Sequence, residues 1–412
     1  MLKGSSPRTL GGVLEARLCI GCGACAAFCG KGAVQLFHDE TAGIHPVFTA
    51  GGCGECRECI AFCPGAGLEY EALRRENEGE WHPLLGPCLG VYEGHATDPE
   101  VRFRGSSGGV ISALSLYCLE TGKSGFVLQT GMDPDVPWHN RSVVSSNRRG
   151  ILEHAGSRYA PSSPCDSIQE IARSDRDWLF VGKPCDAAAV YALRARWPAL
   201  DERLSLVLSF FCAGTPVSGA TRAFLTESGI APETVTSIRY RGCGWPGSFE
   251  VFYDGGRASR SFTYQESWGK LAAYRRPLRC NLCPDGMGDF SDIACGDAWH
   301  LYDNGQKPGL SVVVVRTARG KRILENAVKD RYLEVWPSSP DKILSGQGLQ
   351  NRRMELFGRL LALRLMGWPQ PDYHGLNAKA LWRGLPSFRK FRVVAGTARR
   401  MIVRRYLNRF DA

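Results

Sequence analysis

The sequence predicts an α/β protein (α+β overall) with a small cysteine-rich module at its N-terminus and a larger mixed α/β body. Three observations support this fold class. Two similar cysteine runs lie near the start of a 412-residue chain. Between residues 178 and 228 apolar strand patterns alternate with helical patterns, which is typical of a partly parallel sheet. From residue 235 short alternating strands follow, so the body is expected to be mixed.

The N-terminal module is predicted from its two cysteine runs, which share the spacing Cys-x2-Cys-x2-Cys-x3-Cys. In ferredoxins of this spacing, each run provides three ligands to one [4Fe–4S] cluster and its fourth cysteine to the other cluster. We therefore predict one cluster on Cys19, Cys22, Cys25 and Cys63, and a second on Cys53, Cys56, Cys59 and Cys29. The alternatives are zinc and disulfides. Zinc sites usually combine two Cys-x2-Cys pairs across a longer gap, and disulfides suit short secreted chains, so both fit this pattern less well than iron–sulfur clusters do.

Composition indicates a protein that works in a reducing compartment. The chain has 17 cysteines and 44% apolar residues, and no apolar run approaches the ~20 residues of a membrane span. The first seven residues contain no apolar segment, so we expect no secretion signal and a cytoplasmic location. The net charge is +10, of which residues 371–412 contribute +8. Because the rest is nearly neutral, we expect no nucleic-acid partner.

The body begins with a Ser/Gly-rich loop, Arg104-Gly-Ser-Ser-Gly-Gly109, followed by a predicted helix from Val110 to Gly122. A loop of this kind at a helix start presents free N–H groups and a positive dipole end, which suit a phosphate. The alternative is a serine cap with glycines that permit close packing.

Two strand–loop–helix units follow. The first runs from Trp178 through Lys183-Pro-Cys185-Asp186, and the second from Leu204 through Cys212-Ala-Gly-Thr-Pro216. Each places a cysteine and a proline at the carboxyl end of a buried strand, where ligands bind in open α/β sheets. Further on, Cys280-x2-Cys283 is a lone pair, which fits a structural pair or half of a zinc site.

These motifs, in this order, resemble the beta subunit family of coenzyme F-420 hydrogenase/dehydrogenase. The resemblance spans roughly residues 15–320 and rests on the tandem cysteine runs and on six further motifs: Arg104-x-Ser-Ser-Gly-Gly109, Gly156-Ser-Arg-Tyr159, Val181-Gly-Lys-Pro-Cys185, Phe211-Cys-x-Gly-Thr-Pro216, Cys280-x2-Cys283 and Asp292-Ile-x-x-Gly-Asp297-x-Trp299. No single motif among them is specific, whereas the ordered set is.

The resemblance implies an iron–sulfur, FAD-dependent oxidoreductase. Electrons would pass between a ferredoxin-like donor or redox partner subunit, two [4Fe–4S] clusters, FAD and a small organic substrate. A link to bacterial surface-polysaccharide synthesis is part of this expectation. The alternative is an electron-transfer subunit of a larger hydrogenase or dehydrogenase complex without a substrate of its own.

The resemblance also implies site residues by position. The flavin pocket would contain Ser106, Ser107, Gly108, Gly109, Gly156, Ser157, Tyr159, Lys183 and Pro184. A third [4Fe–4S] cluster would use Cys280 and Cys283, with Cys185 and Cys212 as the candidates to complete it. His154, Tyr159, Asp186 and Asp297 are candidate proton donors by location, each with a structural alternative, so no catalytic residue is assigned.

We predict four regions. They are a ferredoxin-type domain at 1–80, a flavin-binding region at 81–230, a C-terminal family region at 231–370 and a basic amphipathic tail at 371–412. The tail alternates basic and apolar residues and predicts a helix from Arg392. Such a helix suits peripheral contact with the inner face of the membrane, packing on the body, or an acidic partner.

Overall fold

The computed structural model describes residues 5–49, 53, 56–303, 305 and 307–407. The tail prediction therefore extends five residues beyond the described part of the chain. Within the described residues the strands are β1 Val34–Asp39, β2 Gly43–Phe48, β3 Gly67–Glu69, β4 Glu80–His82, β5 Gly86–Cys88, β6 Gly90–Ala96, β7 Phe126–Met132, β8 Asn140–Ser145, β9 Trp178–Gly182, β10 Leu204–Phe210, β11 Val235–Arg239, β12 Phe249–Tyr253, β13 Ala258–Phe262, β14 Ile293–Asp297, β15 Ser311–Val315, β16 Leu333–Pro337 and β17 Asp372–His374.

The α-helices of the same residues are α1 Leu10–Glu15, α2 Ala24–Phe28, α3 Tyr70–Arg75, α4 Pro99–Arg104, α5 Val110–Glu120, α6 Arg148–Glu153, α7 Ile168–Ala172, α8 Pro184–Arg194, α9 Pro198–Arg203, α10 Ser218–Glu227, α11 Tyr264–Ala273, α12 Leu278–Asn281, α13 Ala318–Lys329, α14 Pro340–Gln347, α15 Gln350–Leu365, α16 Ala378–Arg383 and α17 Ser387–Val403. Short 3₁₀ turns occur at Glu58–Phe62, Pro164–Ser167, Pro232–Thr234 and Trp299–Leu301. None of these helices has both the length and the apolar composition needed to cross a bilayer.

An eight-stranded mixed sheet forms the centre of the body, in the order β16-β6-β15-β14-β10-β9-β7-β8. The four strands β14, β10, β9 and β7 run parallel to their neighbours in this group. The outer strands β15, β6, β16 and β8 pair antiparallel. The predicted mixed α/β fold is confirmed. This one sheet takes strands from both sides of residue 230, so the two predicted body regions share it.

The alternating side chains of β9 show which helices cover each face of the sheet. All residues of β9 are buried, with Leu179 in the apolar cluster that contains α5 and Phe180 in the cluster that contains α8. Successive residues of a strand point to opposite faces, so α5 and α8 cover opposite sides of the sheet. Cys22, Cys59 and Phe62 belong to the α8 cluster. The N-terminal module therefore packs on the α8 side.

The N-terminal module is tied to the other end of the chain. The sequence predicts two short strands for the module, at Val34–Phe37 and Gly67–Tyr70. The first corresponds to β1, which forms an antiparallel hairpin with an additional strand, β2. In the structure β3 pairs in parallel with β17 instead, and Tyr70 begins α3. A Cβ on Gly67 would lie 2.3 Å from the Asp372 carbonyl oxygen, so the glycine permits this close pairing.

The C-terminal tail folds as a helix against the body. The sequence predicts its start at Arg392, whereas α17 begins at Ser387 with Pro386 at the N-cap position. The fixed φ of proline suits a helix start. Helix α17 packs along α15, where Arg389 forms an ion pair with Glu355 at 2.8 Å.

Candidate functional site

A cleft of about 550 Å³ lies at the carboxyl ends of the parallel strands. Its wall includes Lys183 after β9, Cys212 after β10 and Asp297 at the end of β14. This is the edge at which open α/β sheets bind ligands. Seven of the nine predicted flavin residues line the cleft: Ser106, Ser107, Gly109, Gly156, Ser157, Tyr159 and Lys183.

The Ser/Gly loop brings the start of α5 to the cleft wall. Gly109 is the N-cap residue, with a left-handed φ of 74° and no side-chain cap. A Cβ at this position would lie 2.7 Å from the Val101 carbonyl oxygen, so glycine is required here. Val110, Ile111 and Ser112 follow in the wall. The first turn of α5 thus leaves N–H groups and a positive dipole end available to an anion.

The two remaining predicted flavin residues stand behind this wall. The Gly108 N–H donates to Ser311 Oγ at 2.9 Å, and a Cβ on Gly108 would lie 2.6 Å from the Gly94 carbonyl oxygen. Pro184 is the first residue of α8 and is buried. Each of them shapes the neighbouring backbone rather than the cleft surface.

Arg241 holds several parts of the cleft together. Its guanidinium forms an ion pair with Asp297 at 2.6 Å, donates to the Ser106 carbonyl oxygen at 2.5 Å and donates to the Tyr159 hydroxyl at 3.4 Å. Burial lowers the pKa of Arg241, but Asp297, Tyr159 and Tyr264 together raise it more, so the net pKa is raised and the group stays charged. Sequence reasoning missed Arg241, because it lies in none of the recognised motifs.

Aromatic rings form one side of the cleft. Tyr264 stacks on Trp299, with ring centroids 5.0 Å apart at 26°, and the Arg241 guanidinium lies 4.9 Å from the Tyr264 ring centroid. Tyr159 packs against Trp268 at 4.5 Å. Flat aromatic surfaces beside a buried cation suit a planar, partly charged ring system.

The four candidate proton donors differ in their surroundings. Asp297 accepts from Arg241 and from Trp245 Nε1 at 2.8 Å, so it serves as a hydrogen-bond acceptor. Asp186 is fully buried outside the cleft wall. Burial lowers the pKa of His154 and raises that of Tyr159, so both are neutral at pH 7. Of the three candidates that line the cleft, His154 and Tyr159 therefore remain as possible proton donors.

Lys183 links the cleft to the N-terminal module. Its ammonium lies 2.8 Å from Asp186 Oδ2 and donates to the carbonyl oxygen and the hydroxyl of Ser162 at 2.9 and 2.7 Å. Next to Ser162, the Ser163 hydroxyl donates to the Gly21 carbonyl oxygen in the first cysteine run. Residues 162–165 thus contact both the cleft and the cysteine-rich module.

The two predicted ligand sets of the N-terminal cysteines lie next to each other, since Cys59 also raises the pKa of Cys25 and Cys63 that of Cys59. The first thiol group contains Cys19, Cys22, Cys25 and Cys63. Burial raises the pKa of Cys25 well above its usual value, and the nearby Cys22, Cys19 and Cys63 raise it further. The second thiol group contains Cys29, Cys53, Cys56 and Cys59. Burial raises the pKa of Cys59 to about 12, and Cys29, Cys53 and Cys56 contribute to this rise.

The later cysteines form a third thiol group of Cys185, Cys212, Cys280 and Cys283. Burial raises the pKa of Cys185, with smaller contributions from Cys212 and Cys283. Cys280 contributes to the raised pKa of Cys212. Since Cys212 also lines the cleft, the third thiol group adjoins it.

The donor sets of all three groups fit iron–sulfur cubanes, because each offers four thiols and a cubane binds each thiolate at a different iron. Among the described residues, no three His, Cys, Asp or Glu side chains surround a single metal-ion position. The assignment of these twelve cysteines as cluster ligands stays a prediction.

Two buried residues beside the thiol groups were not expected to contact them. The Cys165 thiol hydrogen-bonds Cys22 and lowers the pKa of Cys22 despite its burial. Arg279 lies between the first and third groups, where it donates to the Pro64 carbonyl oxygen at 2.9 and 3.0 Å. Its charge partly offsets the effect of burial, which raises the pKa of Cys63 to about 11. Arg279 directly precedes Cys280, so its place beside the third group follows from the sequence, whereas its contact with Pro64 and the contact of Cys165 with Cys22 join distant segments.

Comparisons with known families cover the body of the chain. Residues 91–170 match "Coenzyme F420 hydrogenase/dehydrogenase, beta subunit N-term", and residues 175–341 match the C-terminal domain of the same beta subunit. Together the two matches span more than half of the chain. The N-terminal cysteine runs and the tail lie outside both.

Two curated relatives agree with these matches. The coenzyme F420 hydrogenase subunit beta of Methanosarcina barkeri is 25% identical over 265 residues, 62% of this chain and 84% of the relative. The coenzyme F420-dependent sulfite reductase of Methanocaldococcus jannaschii is 24% identical over 333 residues, 77% of this chain but only 47% of the relative.

The solved structure is the F420-reducing [NiFe] hydrogenase complex from Methanosarcina barkeri. One of its chains is 21% identical with a TM-score of 0.52, over 67% of this chain and 94% of that chain, which is a likeness of fold. The chain belongs to the coenzyme F420 hydrogenase/dehydrogenase beta subunit family.

Proposed function

We propose that this chain is an iron–sulfur flavoprotein that transfers electrons within an oxidoreductase complex. The observation that carries the proposal is the spatial order of the thiol groups. The second group adjoins the first, with the Cys59 thiol 3.9 Å from the Cys25 carbonyl oxygen. Arg279 lies between the first and third groups, and Cys212 of the third group lines the cleft.

This order suits electron transfer between the module surface and the cleft. When bound, iron–sulfur clusters exchange single electrons and a flavin exchanges two. Cys56 is exposed, so the second thiol group is the one open to solvent. We therefore place the contact with a ferredoxin or another redox subunit beside Cys56.

The cleft fits FAD in size and chemistry. Its volume lies within the ~300–1,000 Å³ of cofactor pockets. The uncapped start of α5 suits the pyrophosphate, as in other dinucleotide sites. The rings of Tyr159, Trp268 and Tyr264 offer flat apolar surface for an isoalloxazine. The role of this chain's own residues is to bind, orient and shield the cofactor.

The second candidate function is an enzyme with its own organic substrate. It is favoured by the two neutral side chains at the cleft, His154 and Tyr159, which can each hold a proton near a bound ring. The relatives are named for coenzyme F420, so coenzyme F420 is the first substrate to assay. The link to surface-polysaccharide synthesis stays a prediction.

Ser106→Asp tests where the pyrophosphate binds. Aspartate keeps an acceptor for the Ser157 N–H, which Ser106 Oγ now accepts, and a carboxylate near a helix start stabilises the helix. Its charge would nevertheless repel a pyrophosphate. We expect FAD to bind this variant about tenfold more weakly than the neutral, equally large Ser106→Asn, since one unfavourable charge contact is worth ~1.4 kcal/mol.

Both affinities can be measured by titrating FAD into flavin-depleted protein and following the flavin fluorescence. Gly229→Val is the control for a general loss of stability. Its positive φ disfavours valine, yet no atom lies within 4 Å of an added Cβ and the residue has no place in the cleft wall. Equal FAD affinity for the Asp and Asn variants would show that the pyrophosphate does not bind at the start of α5.

A further inference from the structure

The outward face of α17 combines large apolar side chains with unpaired arginines. Steps of three and four residues along the helix place Phe388, Phe391, Arg392, Arg399 and Ile402 on one side. Phe388 is 70% exposed and Phe391 76% exposed. The two exposed phenylalanines are neighbours on this side of the helix, and clustered exposed rings of this kind often mark an interaction surface.

The inward face of α17 already has its partners. Thr397 and Met401 are buried, and Met401 belongs to an apolar cluster with Leu363 of α15. Arg389 pairs with Glu355. The helix is therefore fixed on the body, and the exposed stripe is not the side by which it packs.

The charge of the outward face is of one sign. Helix α17 contains no acidic residue. Among the residues that the structure describes, Arg392, Arg399 and Arg405 are charged side chains of this region that form no ion pair. Val403 at the end of α17 is also exposed, as are Leu407 just beyond the helix and Leu365 at the end of α15.

We propose that the outward face of α17 binds an anionic lipid surface, lying flat with its phenylalanines and aliphatic side chains inserted and its arginines on the headgroups. Arginine suits this position because its apolar stem follows the neighbouring rings while the guanidinium reaches phosphate oxygens. The 17 residues of α17 span about 25 Å, enough to lie along an interface. An acidic protein surface would match the positive charge of this face. Its charge alone would not explain why Phe388 and Phe391 are exposed.

The segment that follows α17 packs against the N-terminal module. Tyr406, just beyond α17, packs in the same apolar cluster as Leu18 and Cys19, and its hydroxyl donates to the Arg276 carbonyl oxygen. A bilayer bound by α17 would therefore lie on the side of the protein where the C-terminal segment packs against Leu18 and Cys19.

Vesicle co-sedimentation of the full chain under anaerobic conditions tests the proposal. The chain should bind vesicles of phosphatidylcholine mixed with phosphatidylglycerol, bind phosphatidylcholine alone far more weakly, and dissociate as salt is added. Arg392→Gln with Arg399→Gln should lower the partition coefficient roughly 25-fold. Phe388→Ser with Phe391→Ser should lower it about 100-fold.

The matched control is Phe103→Ser with Arg149→Gln, which removes an exposed ring and an exposed cation elsewhere on the body. This control should bind like the unchanged protein. Failure of the unchanged chain to sediment with anionic vesicles would overturn the proposal, as would binding that both α17 variants retain. Binding of a ferredoxin that depends on Arg392 and Arg399, without vesicle binding, would assign the face to an acidic protein instead.

Discussion

Replacing Asp297 with Asn is expected to destabilise the protein by about 3–5 kcal/mol, because it leaves the buried Arg241 without its carboxylate. The Arg241 side chain is 2% exposed, and Asp297 is the one carboxylate that pairs with it among the described residues. In a chain of this size, such a loss should lower the Tm by about 5 °C or more. Differential scanning fluorimetry under anaerobic conditions measures this directly.

Asp303→Asn is the control for this substitution. It removes a carboxylate of the same kind from an exposed pair with Lys307, and exposed pairs contribute little to stability. We expect its Tm to be nearly unchanged. Equal Tm values for the two variants would show that the ion pair of Arg241 with Asp297 does not hold the cleft together.

Replacing Cys212 with Ala is expected to remove about four irons per chain, because the third thiol group would lose one of its four thiolates. Flavin content should be largely retained, since Cys212 forms only a small part of the cleft wall. Iron and acid-labile sulfide quantitation after anaerobic purification measures the loss. Cys185→Ala should give the same result, because it belongs to the same group.

Cys118→Ala serves as the control, since this cysteine is fully buried in the apolar core of the body and lies outside the three thiol groups. Its iron content should equal that of the unchanged chain. Unchanged iron in Cys212→Ala and Cys185→Ala together would rule out a cluster at the third thiol group, while leaving the two N-terminal clusters unaffected.

Most of the fold prediction came from short sequence patterns, such as apolar runs and a glycine-rich loop. The apolar runs at Trp178 and Leu204 are strands in the structure, and the glycine-rich loop before Val110 leads into a helix. These features depend on neighbouring residues, so the sequence is enough to predict them. The pairing of Gly67–Glu69 with β17 could not be predicted in this way, because its partner strand lies near the far end of the chain.

Some residues of the candidate site could likewise be predicted from the sequence, and others could not. Residues in recurring motifs, such as Ser106 and Tyr159, are predicted by resemblance to bind a flavin, and this stays a prediction. Both residues line the cleft in the structure. Arg241, Arg279 and Cys165 belong to no such motif. Arg241 reaches the cleft, Cys165 reaches Cys22 and Arg279 reaches Pro64 only because folding brings distant segments together, so these contacts required the structure.

The most direct test of the account is quantitation of iron, sulfide and flavin in the full chain purified anaerobically, with a visible spectrum. The account predicts one FAD and about twelve irons per chain, from four irons at each of the three thiol groups. Zinc in place of iron would contradict the assignment of the thiol groups. Iron without flavin would contradict the assignment of the cleft.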